Sequence, residues 1–302
     1  MATYAIETKG LTVYYGRHRG IVDVDLRVEK EEIFGFLGPN GAGKTTTERV
    51  LLDIIRPTAG SARILGLDCQ KEGVQARAKV GYLPGELSLY DNMKASQFFR
   101  MYRSLQGGGN DAAYWQALAE RLDLDTSRKI REYSRGNKQK VGIVTAFMNK
   151  PALLILDEPT SGLDPLVQQT VLEMIREAQN EGATVFFSSH NLPEVQAVCD
   201  RVGIIREGRL AATERIEDLI SRQFKRLRFT FAAPPPADAF TQDGVTEIER
   251  DGQTVLLEIR ENLNEVLATA VNYQITDIET ESVSLEEVFL AYYGKGNGGN
   301  HA

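Results

Sequence analysis

GPNGAGKTT, at residues 38–46, is the most informative stretch of this chain. It follows the apolar run IFGFLG (33–38) and opens residues 44–55, a segment without Gly or Pro that stops before Pro57. A buried strand, a glycine-rich turn and a helix in this order are typical of a phosphate-binding loop. Glycines let successive N–H groups point at phosphate oxygens, and the helix N-terminus adds the positive end of its dipole. The sequence therefore predicts a phosphate site on a strand–loop–helix unit.

The loop fits the pattern G-x-x-x-x-G-K-[ST], whose last two positions carry a charge and a hydroxyl group. Lys44 supplies a positive charge to the β- and γ-phosphates, and the Thr45 hydroxyl is a hard oxygen ligand suited to Mg²⁺. We therefore expect ATP and Mg²⁺ as cofactors. The predicted ATP-binding residues of the loop are Gly38, Pro39, Asn40, Gly41, Ala42, Gly43, Lys44, Thr45 and Thr46.

The composition limits the classes of protein to consider. With 302 residues, 42% of them hydrophobic and 25% charged, the composition predicts a soluble globular protein of two domains, or of one large domain with an appendage. The net charge of −7 argues against a nucleic-acid partner. No apolar run approaches the roughly 18 residues that cross a bilayer, and the N-terminus lacks a secretory signal, which predicts a cytosolic chain. Cys69 and Cys199 have no metal or CxxC spacing and are expected to be reduced.

Hydrophobic patterning outlines the first domain. Alternation at residues 4–8 and 21–28 predicts antiparallel strands, and apolar runs at 153–157, 184–189 and 201–210 predict further strands. A helical pattern at 166–180 separates two of these runs, which favours a parallel sheet. The predicted fold class is α/β, a P-loop NTPase with a mostly parallel core sheet, an antiparallel β subdomain and a helical subdomain at about 86–150.

A second, smaller domain follows the nucleotide-binding domain predicted over residues 1–222. The linker AAPPPAD begins at Ala232, and strands flank Asp251–Gly252, a strong hairpin signal. A helix at 262–271, a strand at 273–280 and a helix at 285–293 complete an α+β domain, predicted over residues 223–293. The glycine-rich tail, 294–302, is predicted to be disordered.

Two adjacent acids end the apolar strand LLILD at Asp157 and Glu158. Alternation along a strand directs them to different groups, so Asp157 is assigned to the metal and Glu158 to the attacking water. Taken alone, the pair is equally consistent with a solvated strand end. His190 follows another buried strand at the same sheet edge and can reach the γ-phosphate, although a lone histidine is usually structural. Ser134 is a good helix N-cap and marks a second anion-binding helix start, or an ordinary capped helix.

These segments, in this order, closely resemble the ATP-binding subunits of ABC transporters over about residues 4–220. GPNGAGKTT is similar to their Walker A motif, LLILDEP (153–159) to Walker B with its catalytic glutamate, and YSRGNKQK (133–140) to their signature. The resemblance implies that Tyr15 stacks on adenine, that His190 is the switch histidine and that Asp164 belongs to the D-loop.

The resemblance also implies that one chain is an incomplete ATPase. In the family, two cassettes dimerise head to tail, so Ser134, Arg135 and Gly136 would act in trans on the partner's ATP. A homodimer is expected, driving export by a separate membrane permease from the cytoplasmic face of the membrane. The ending SLEEVFLAYY (284–293) is similar to that of subunits serving ABC-2 type exporters for drugs or polysaccharides. There the extra domain has a regulatory or dimerisation role, with a purely stabilising appendage as the alternative.

Two departures from the family pattern bear on the site. The signature differs from LSGGQ at three of five positions, and Arg135 places a guanidinium beside the expected γ-phosphate, where it adds attraction. The Q-loop glutamine would fall within GYLPGELSLYD (81–91), where Gly85 and Glu86 stand instead. Glu86 is the candidate to meet Mg²⁺ or its water, with a plain loop residue as the alternative.

Two other functions stay open at this stage. One is a soluble cassette ATPase acting on ribosomes or DNA, although those relatives carry two cassettes or a long coiled-coil insertion. The other is a nucleotide-binding regulatory module with little turnover, which would follow if the two departures were disabling.

Overall fold

The computed structural model of this chain describes residues 4–107, 113–223 and 225–281. Within these residues the strands are, in chain order, β1 (Tyr4–Tyr15), β2 (His18–Val24), β3 (Arg27–Glu29), β4 (Ile33–Leu37), β5 (Ala59–Ile64), β6 (Leu67–Asp68), β7 (Val80–Leu83), β8 (Leu153–Asp157), β9 (Thr184–Ser189), β10 (Arg201–Arg206), β11 (Arg209–Arg215), β12 (Lys225–Phe231), β13 (Val245–Asp251), β14 (Thr254–Ile259) and β15 (Ile275–Glu281). The α-helices are α1 (Lys44–Leu51), α2 (Gly73–Arg77), α3 (Ala95–Leu105), α4 (Ala113–Arg121), α5 (Arg135–Phe147), α6 (Pro165–Asn180), α7 (Leu192–Val198), α8 (Ile216–Gln223) and α9 (Leu263–Asn272).

The core sheet has the strand order β11-β10-β4-β9-β8-β7. The pairs β10–β4, β4–β9, β9–β8 and β8–β7 are all parallel, which confirms the predicted parallel core. Every residue of β4, β8 and β9 is buried, as their continuous apolar runs predict. Because the strands are parallel, their carboxyl ends meet at one edge of the sheet, where a ligand site is expected.

The segment 201–210 was expected to form one strand, and that expectation is wrong. Glu207 and Gly208 both adopt positive φ angles, 49° and 71°, and turn the chain between β10 and β11. Two consecutive left-handed residues form a tight hairpin turn, for which the sequence Glu-Gly gives only a weak signal.

A second sheet has the order β2-β1-β5-β6, with β3 also paired to β1. Its pairs are antiparallel, as predicted, but the expected strand at 21–28 is interrupted. Asp23 has a φ of 54°, and the buried Thr8 hydroxyl donates to Val24 O at 2.7 Å and accepts from Leu26 N at 2.9 Å. Between β2 and β3, the Thr8 hydroxyl therefore makes the hydrogen bonds that backbone groups make in a regular strand pair.

Helices α3, α4 and α5 occupy the region predicted to be helix-rich. Phe98, Phe99 and Trp115 form its aromatic core, with ring centroids 5.2–6.2 Å apart. Helix α1 ends at Leu51, before the predicted end at residue 55, because Asp53 has a φ of 53° and leaves the helical conformation. Within the described residues, no helix is both long and apolar enough to cross a membrane.

The chain divides into two compact units between Glu214 and Arg215, eight residues before the boundary expected at residue 222. In the second unit, α9 accompanies a sheet of order β13-β14-β12-β15. Phe229, Phe231 and Phe240 stack in its core, and the hairpin predicted at Asp251–Gly252 joins β13 to β14. The predicted helix 285–293 and tail 294–302 lie outside the described residues.

Candidate functional site

The glycine-rich loop joins β4 to α1 at the carboxyl edge of the core sheet. Gly43 has a φ of 115°, and a Cβ added there would lie 2.5 Å from Ile21 Cγ2. A Cβ at Gly38 would clash with the carbonyl oxygen of Ile205. Both positions therefore require glycine, because a side chain would displace the loop from the strands beneath it.

Lys44 is buried, and its ammonium group lies within the loop itself. Its Nζ donates to Gly38 O at 2.6 Å and to Pro39 O at 3.4 Å. These carbonyl bonds hold the charge at the floor of the loop, where the oxygens of a bound phosphate would be. A fixed cation at a helix N-terminus is the electrostatic requirement for binding a polyphosphate.

Asp157, at the end of β8, has both carboxylate oxygens engaged. Thr45 Oγ1 donates to its Oδ2 at 2.9 Å, and Ser188 Oγ donates to its Oδ1 at 2.6 Å. Asp157 is buried, and its position next to Thr45 brings together the two residues that the sequence assigns to the metal. A hydroxyl and a carboxylate at this spacing are hard oxygen donors that suit Mg²⁺.

Glu158 turns away from Asp157 and faces His190 instead. Its φ is 49°, and its Oε1 lies 2.8 Å from Nδ1 of His190. Glu158 N also donates to Ser188 O at 3.0 Å, which ties the turn after β8 to the end of β9. The two adjacent acids thus contact different partners, because Glu158 follows the end of β8 in a left-handed backbone conformation.

A cavity of about 460 Å³ is lined by Lys44, Thr45, Asp157 and Glu158, whereas His190 lines a neighbouring cavity that shares Glu158 with it. Most of the loop and Tyr15 also line the first of these cavities, but Gly38 and Ala42 do not. Tyr15 is 46% exposed, and its hydroxyl lies 3.3 Å from Thr46 Oγ1. The cavity therefore offers an exposed aromatic ring together with charged side chains.

The structure adds cavity residues that the sequence argument missed. Arg19 and Gly20, from β2, and Ser161, after Walker B, also line the cavity. Arg19 follows Tyr15, the residue expected to stack on adenine, by four residues, and this proximity in sequence was the available signal. Ser188 could be recognised only once β8 and β9 were paired, because its role is to bond Asp157.

The expected Q-loop position is occupied differently from the prediction. Gly85 lines the cavity, and a Cβ there would lie 2.9 Å from Asp157 Oδ2. Glu86 is exposed and is not among the residues that line the cavity. The close approach of Gly85 to Asp157 leaves no room for a side chain at this place, so the structure brings a glycine, and not the Glu86 carboxylate, next to Asp157.

The signature segment lies beside the D-loop of the same chain. Ser134 is the N-cap of α5 and accepts from Asn137 N at 3.2 Å. Arg135 donates to Ser161 Oγ at 3.4 Å and lines the cavity, and a Cβ at Gly136 would lie 2.9 Å from Gly162 O. The expected trans residues therefore form a second capped helix start that is held to the turn after Walker B.

Asp164 holds the start of α6, and Glu194 holds the segment around His190. Asp164 caps α6 by accepting from Val167 N at 3.1 Å. Glu194, which is buried, accepts from Thr160 Oγ1 at 2.7 Å and from Asn191 Nδ2 at 2.9 Å. These bonds join the Walker B turn to the segment that carries His190.

One buried acid near the cavity was not singled out from the sequence. Glu48, on α1, is completely buried, and burial followed by the negative charge of Asp157 raises its pKa well above the ordinary value. Burial and the charges of Glu48 and Asp157 also raise the pKa of Tyr82.

The fold and the cavity together define a P-loop nucleotide-binding protein. The family described as ABC transporter matches residues 21–161. The bacitracin transport ATP-binding protein BcrA of Enterococcus faecalis is 32% identical over 306 residues, covering 97% of this chain and 97% of that protein. The linearmycin resistance ATP-binding protein LnrL of Bacillus subtilis is 35% identical over 222 residues, covering 72% of this chain and 71% of that protein.

Solved structures agree with these sequence matches. A structure of the ATP binding subunit of an ABC transporter has a TM-score of 0.66 and 30% identity, covering 71% of this chain and 91% of that chain. The cassette MJ0796 bound to ADP and Pi shares the fold, with a TM-score of 0.65 and 20% identity over 70% of this chain and 98% of that one.

The chain belongs to the family of ABC transporter ATP-binding proteins. It is therefore an ATP-binding subunit with the ATPase activity of the family, as the Walker A and Walker B motifs predict.

Proposed function

We propose that this chain is the ATPase subunit of a membrane exporter, working as a homodimer with a separate permease on the cytoplasmic face of the membrane. The observation that carries the proposal is the end-to-end match with a bacitracin transport protein, which covers the second unit as well as the cassette. The relative named for linearmycin resistance supports export of antibiotic-type compounds. Names of this kind favour transport over action on ribosomes or DNA.

The proposed chemistry is attack of water on the γ-phosphorus of ATP, which breaks the bond to ADP. Glu158 accepts the proton of the attacking water, and His190, 2.8 Å away, holds the Glu158 carboxylate and contacts the γ-phosphate. Lys44 and the loop N–H groups hold the phosphates and stabilise the charge that develops on them. Tyr15 stacks on the adenine.

Thr45 and Asp157 would hold Mg²⁺, because they already bring two hard oxygen donors together at the edge of the phosphate loop. When bound, Mg²⁺ neutralises charge on the β- and γ-phosphates. The residues of this chain fit that role. The Thr45 hydroxyl, which now donates to Asp157, is free to turn its lone pairs toward the cation.

A head-to-tail dimer would give the signature segment a ligand to bind. Ser134, Arg135 and Gly136 form a helix start that suits an anion. Arg135 lines the cavity of its own chain, whereas Ser134 and Gly136 do not. We infer that this helix start binds the γ-phosphate held by a second copy. ATP then favours the closed dimer, because only closure completes the site.

Affinity purification of the tagged chain from solubilised membranes of its host tests the proposed function. The expected result is co-purification of a polytopic membrane protein in stoichiometric amount. Recovery with ribosomes or DNA at physiological salt, and with no membrane protein, would instead favour the soluble alternative.

A further inference from the structure

Glu158, the acid assigned to the attacking water, has a backbone conformation that its sequence does not favour. Its φ is 49°, in the left-handed region, which residues other than glycine rarely adopt. Pro159 follows it, and a residue before proline ordinarily takes an extended conformation. Such a backbone persists only where surrounding contacts hold it, and backbones of this kind are concentrated at functional sites. The contacts that hold Glu158 therefore bear on how its carboxylate is directed.

The backbone of Glu158 is held by hydrogen bonds to residues of different elements. Its N–H donates to Ser188 O, on β9, at 3.0 Å, and its carbonyl oxygen accepts from Ser161 N at 3.1 Å. The same carbonyl oxygen accepts from the side-chain amide of Gln139, whose Nε2 lies 3.2 Å away. Glu158 is thus held by β9, by its own turn and by α5.

Gln139 lies on α5, five residues after the N-cap Ser134, and its side chain is buried. Its Nε2 also donates to Pro159 O at 3.0 Å, so one amide group binds two consecutive carbonyl oxygens, those of Glu158 and Pro159. A buried carbonyl oxygen that loses its donor costs free energy, which makes this pair of bonds a strong restraint on the turn. The restraint joins the turn that carries Glu158 to the helix that begins at the signature.

We propose that Gln139 is a positioning residue for the base, because its amide holds Glu158 in the left-handed conformation. This conformation keeps the Glu158 carboxylate turned toward His190 and away from Asp157. The inference rests on the proposed role of Glu158 in accepting the proton of the attacking water. Gln139 is not among the residues that line the nucleotide cavity, so it acts through Glu158 and without contact with ATP.

The test is the rate of ATP hydrolysis by the full chain, followed as phosphate release, together with the affinity for the non-hydrolysable analogue AMP-PNP. Gln139→Met keeps the length of the side chain and removes the donor, and Gln139→Asn keeps the amide but withdraws it by one methylene group. Both variants should lower kcat about tenfold, a part of the contribution that a general base makes. KM and the AMP-PNP affinity should stay at the wild-type values, because the phosphate loop is unchanged.

Gln168→Met is the matched control. Gln168, on α6, also donates its side-chain amide to two carbonyl oxygens of the Walker B turn, Thr160 O at 3.4 Å and Leu163 O at 3.1 Å, but these follow Glu158 by two and five residues. The melting temperature of this variant should fall as much as that of Gln139→Met, while its kcat should equal that of the wild type. An equal loss of kcat in Gln168→Met and Gln139→Met would overturn the inference, because any loosening of the turn would then be sufficient.

A double-variant cycle with Glu158→Gln tests whether Gln139 acts through the base. In the Glu158→Gln chain the base is absent, so adding Gln139→Met should leave the residual rate unchanged. A merely structural role for Gln139 predicts that the residual rate falls by the same factor as in the wild-type background. That result would overturn the inference.

Wild-type kcat in a folded Gln139 variant would overturn the inference and leave Glu158 as the base, provided that Glu158→Gln is slow. Circular dichroism shows which variants fold, and either Gln139 variant alone decides the outcome. If neither folds, the role of Gln139 is structural and the inference falls. Hydrolysis at the wild-type rate in Glu158→Gln would instead remove the proposed base, and the inference with it.

Discussion

The Glu158 carboxylate lies 2.8 Å from His190 Nδ1, at the edge of the cavity that contains Lys44. Glu158→Gln keeps the shape of this side chain and removes its ability to accept a proton. We expect the variant to bind ATP and to hydrolyse it about 100-fold or more slowly, the size of a general-base contribution. Steady-state phosphate release and nucleotide binding, measured on the same preparation, check both parts.

Glu86→Gln is the matched control, since Glu86 is exposed and does not line the cavity. It should hydrolyse ATP at the wild-type rate. Unchanged hydrolysis in Glu158→Gln, or an equal loss in both variants, would contradict the assignment of Glu158 as the base.

The sequence is most informative about residues whose roles depend on their immediate neighbours in the chain. Lys44 and Thr45 follow from the strand–loop–helix pattern, and Asp157 follows from its place at the end of a buried strand. Gln139 and Gly85 could not be predicted in this way. Their importance depends on which residues the end of β8 brings beside them, and that information comes from long-range packing.

The strands and helices likewise differ in how well the sequence predicts them. The fully buried strands β4, β8 and β9 and the helix α6 were predicted to within one residue, because long apolar runs and strong caps leave one interpretation. The strands β6 and β7 and the helices α2 and α7 carry too few residues for a clear period, and β5, AGSARI, contains few apolar residues. The β10–β11 hairpin was missed because its turn is set by backbone conformation at two residues.

That hairpin turn also supports the phosphate loop. Gly208 N donates to Ala42 O at 2.9 Å, and Gly208 O accepts from Val22 N at 2.7 Å. Gly208 has a φ of 71°, and an added Cβ would lie 2.6 Å from Gly20 O. We expect Gly208→Ala to lower the free energy of unfolding by more than about 1 kcal/mol, measured by denaturant unfolding, and to weaken ATP binding.

Gly182→Ala is the control that distinguishes the effect of backbone strain from the effect of the close contact with Gly20. Gly182 also has a positive φ, 95°, but no atom lies within 4 Å of an added Cβ. Its variant should lose less stability and keep its ATP affinity. Equal losses in the two variants would show that the contact with Gly20 is unimportant.

Helix α5 begins at a serine that has a structural role before any partner binds. Ser134 accepts from Asn137 N at 3.2 Å, so Ser134→Ala should cost about 1 kcal/mol of unfolding free energy, the usual value of an N-cap. Ser104→Ala, on the exposed end of α3, should cost nothing measurable. A Ser134→Ala chain as stable as the wild type would contradict the capping role.

For the molecule as a whole, the central claim is that the ATP site is completed by a second copy of the chain. We propose that Lys44 and its loop form one half of this site and that the helix start at Ser134 of the second copy forms the other. The sequence indicated both halves separately, because each is a local motif. Only the family resemblance indicated that the two halves meet across two chains.

Heterodimers isolated through two different tags test this claim most directly. One chain carries Lys44→Ala and the other carries Ser134→Glu, and each substitution alone should abolish ATP hydrolysis. In a head-to-tail dimer this pair retains one complete site, so it should regain about half of the wild-type rate. The same two substitutions placed on one chain, paired with a wild-type chain, should leave no complete site and no activity. The reverse result, an inactive first heterodimer and an active second one, would show that each chain completes its own site and would contradict the account.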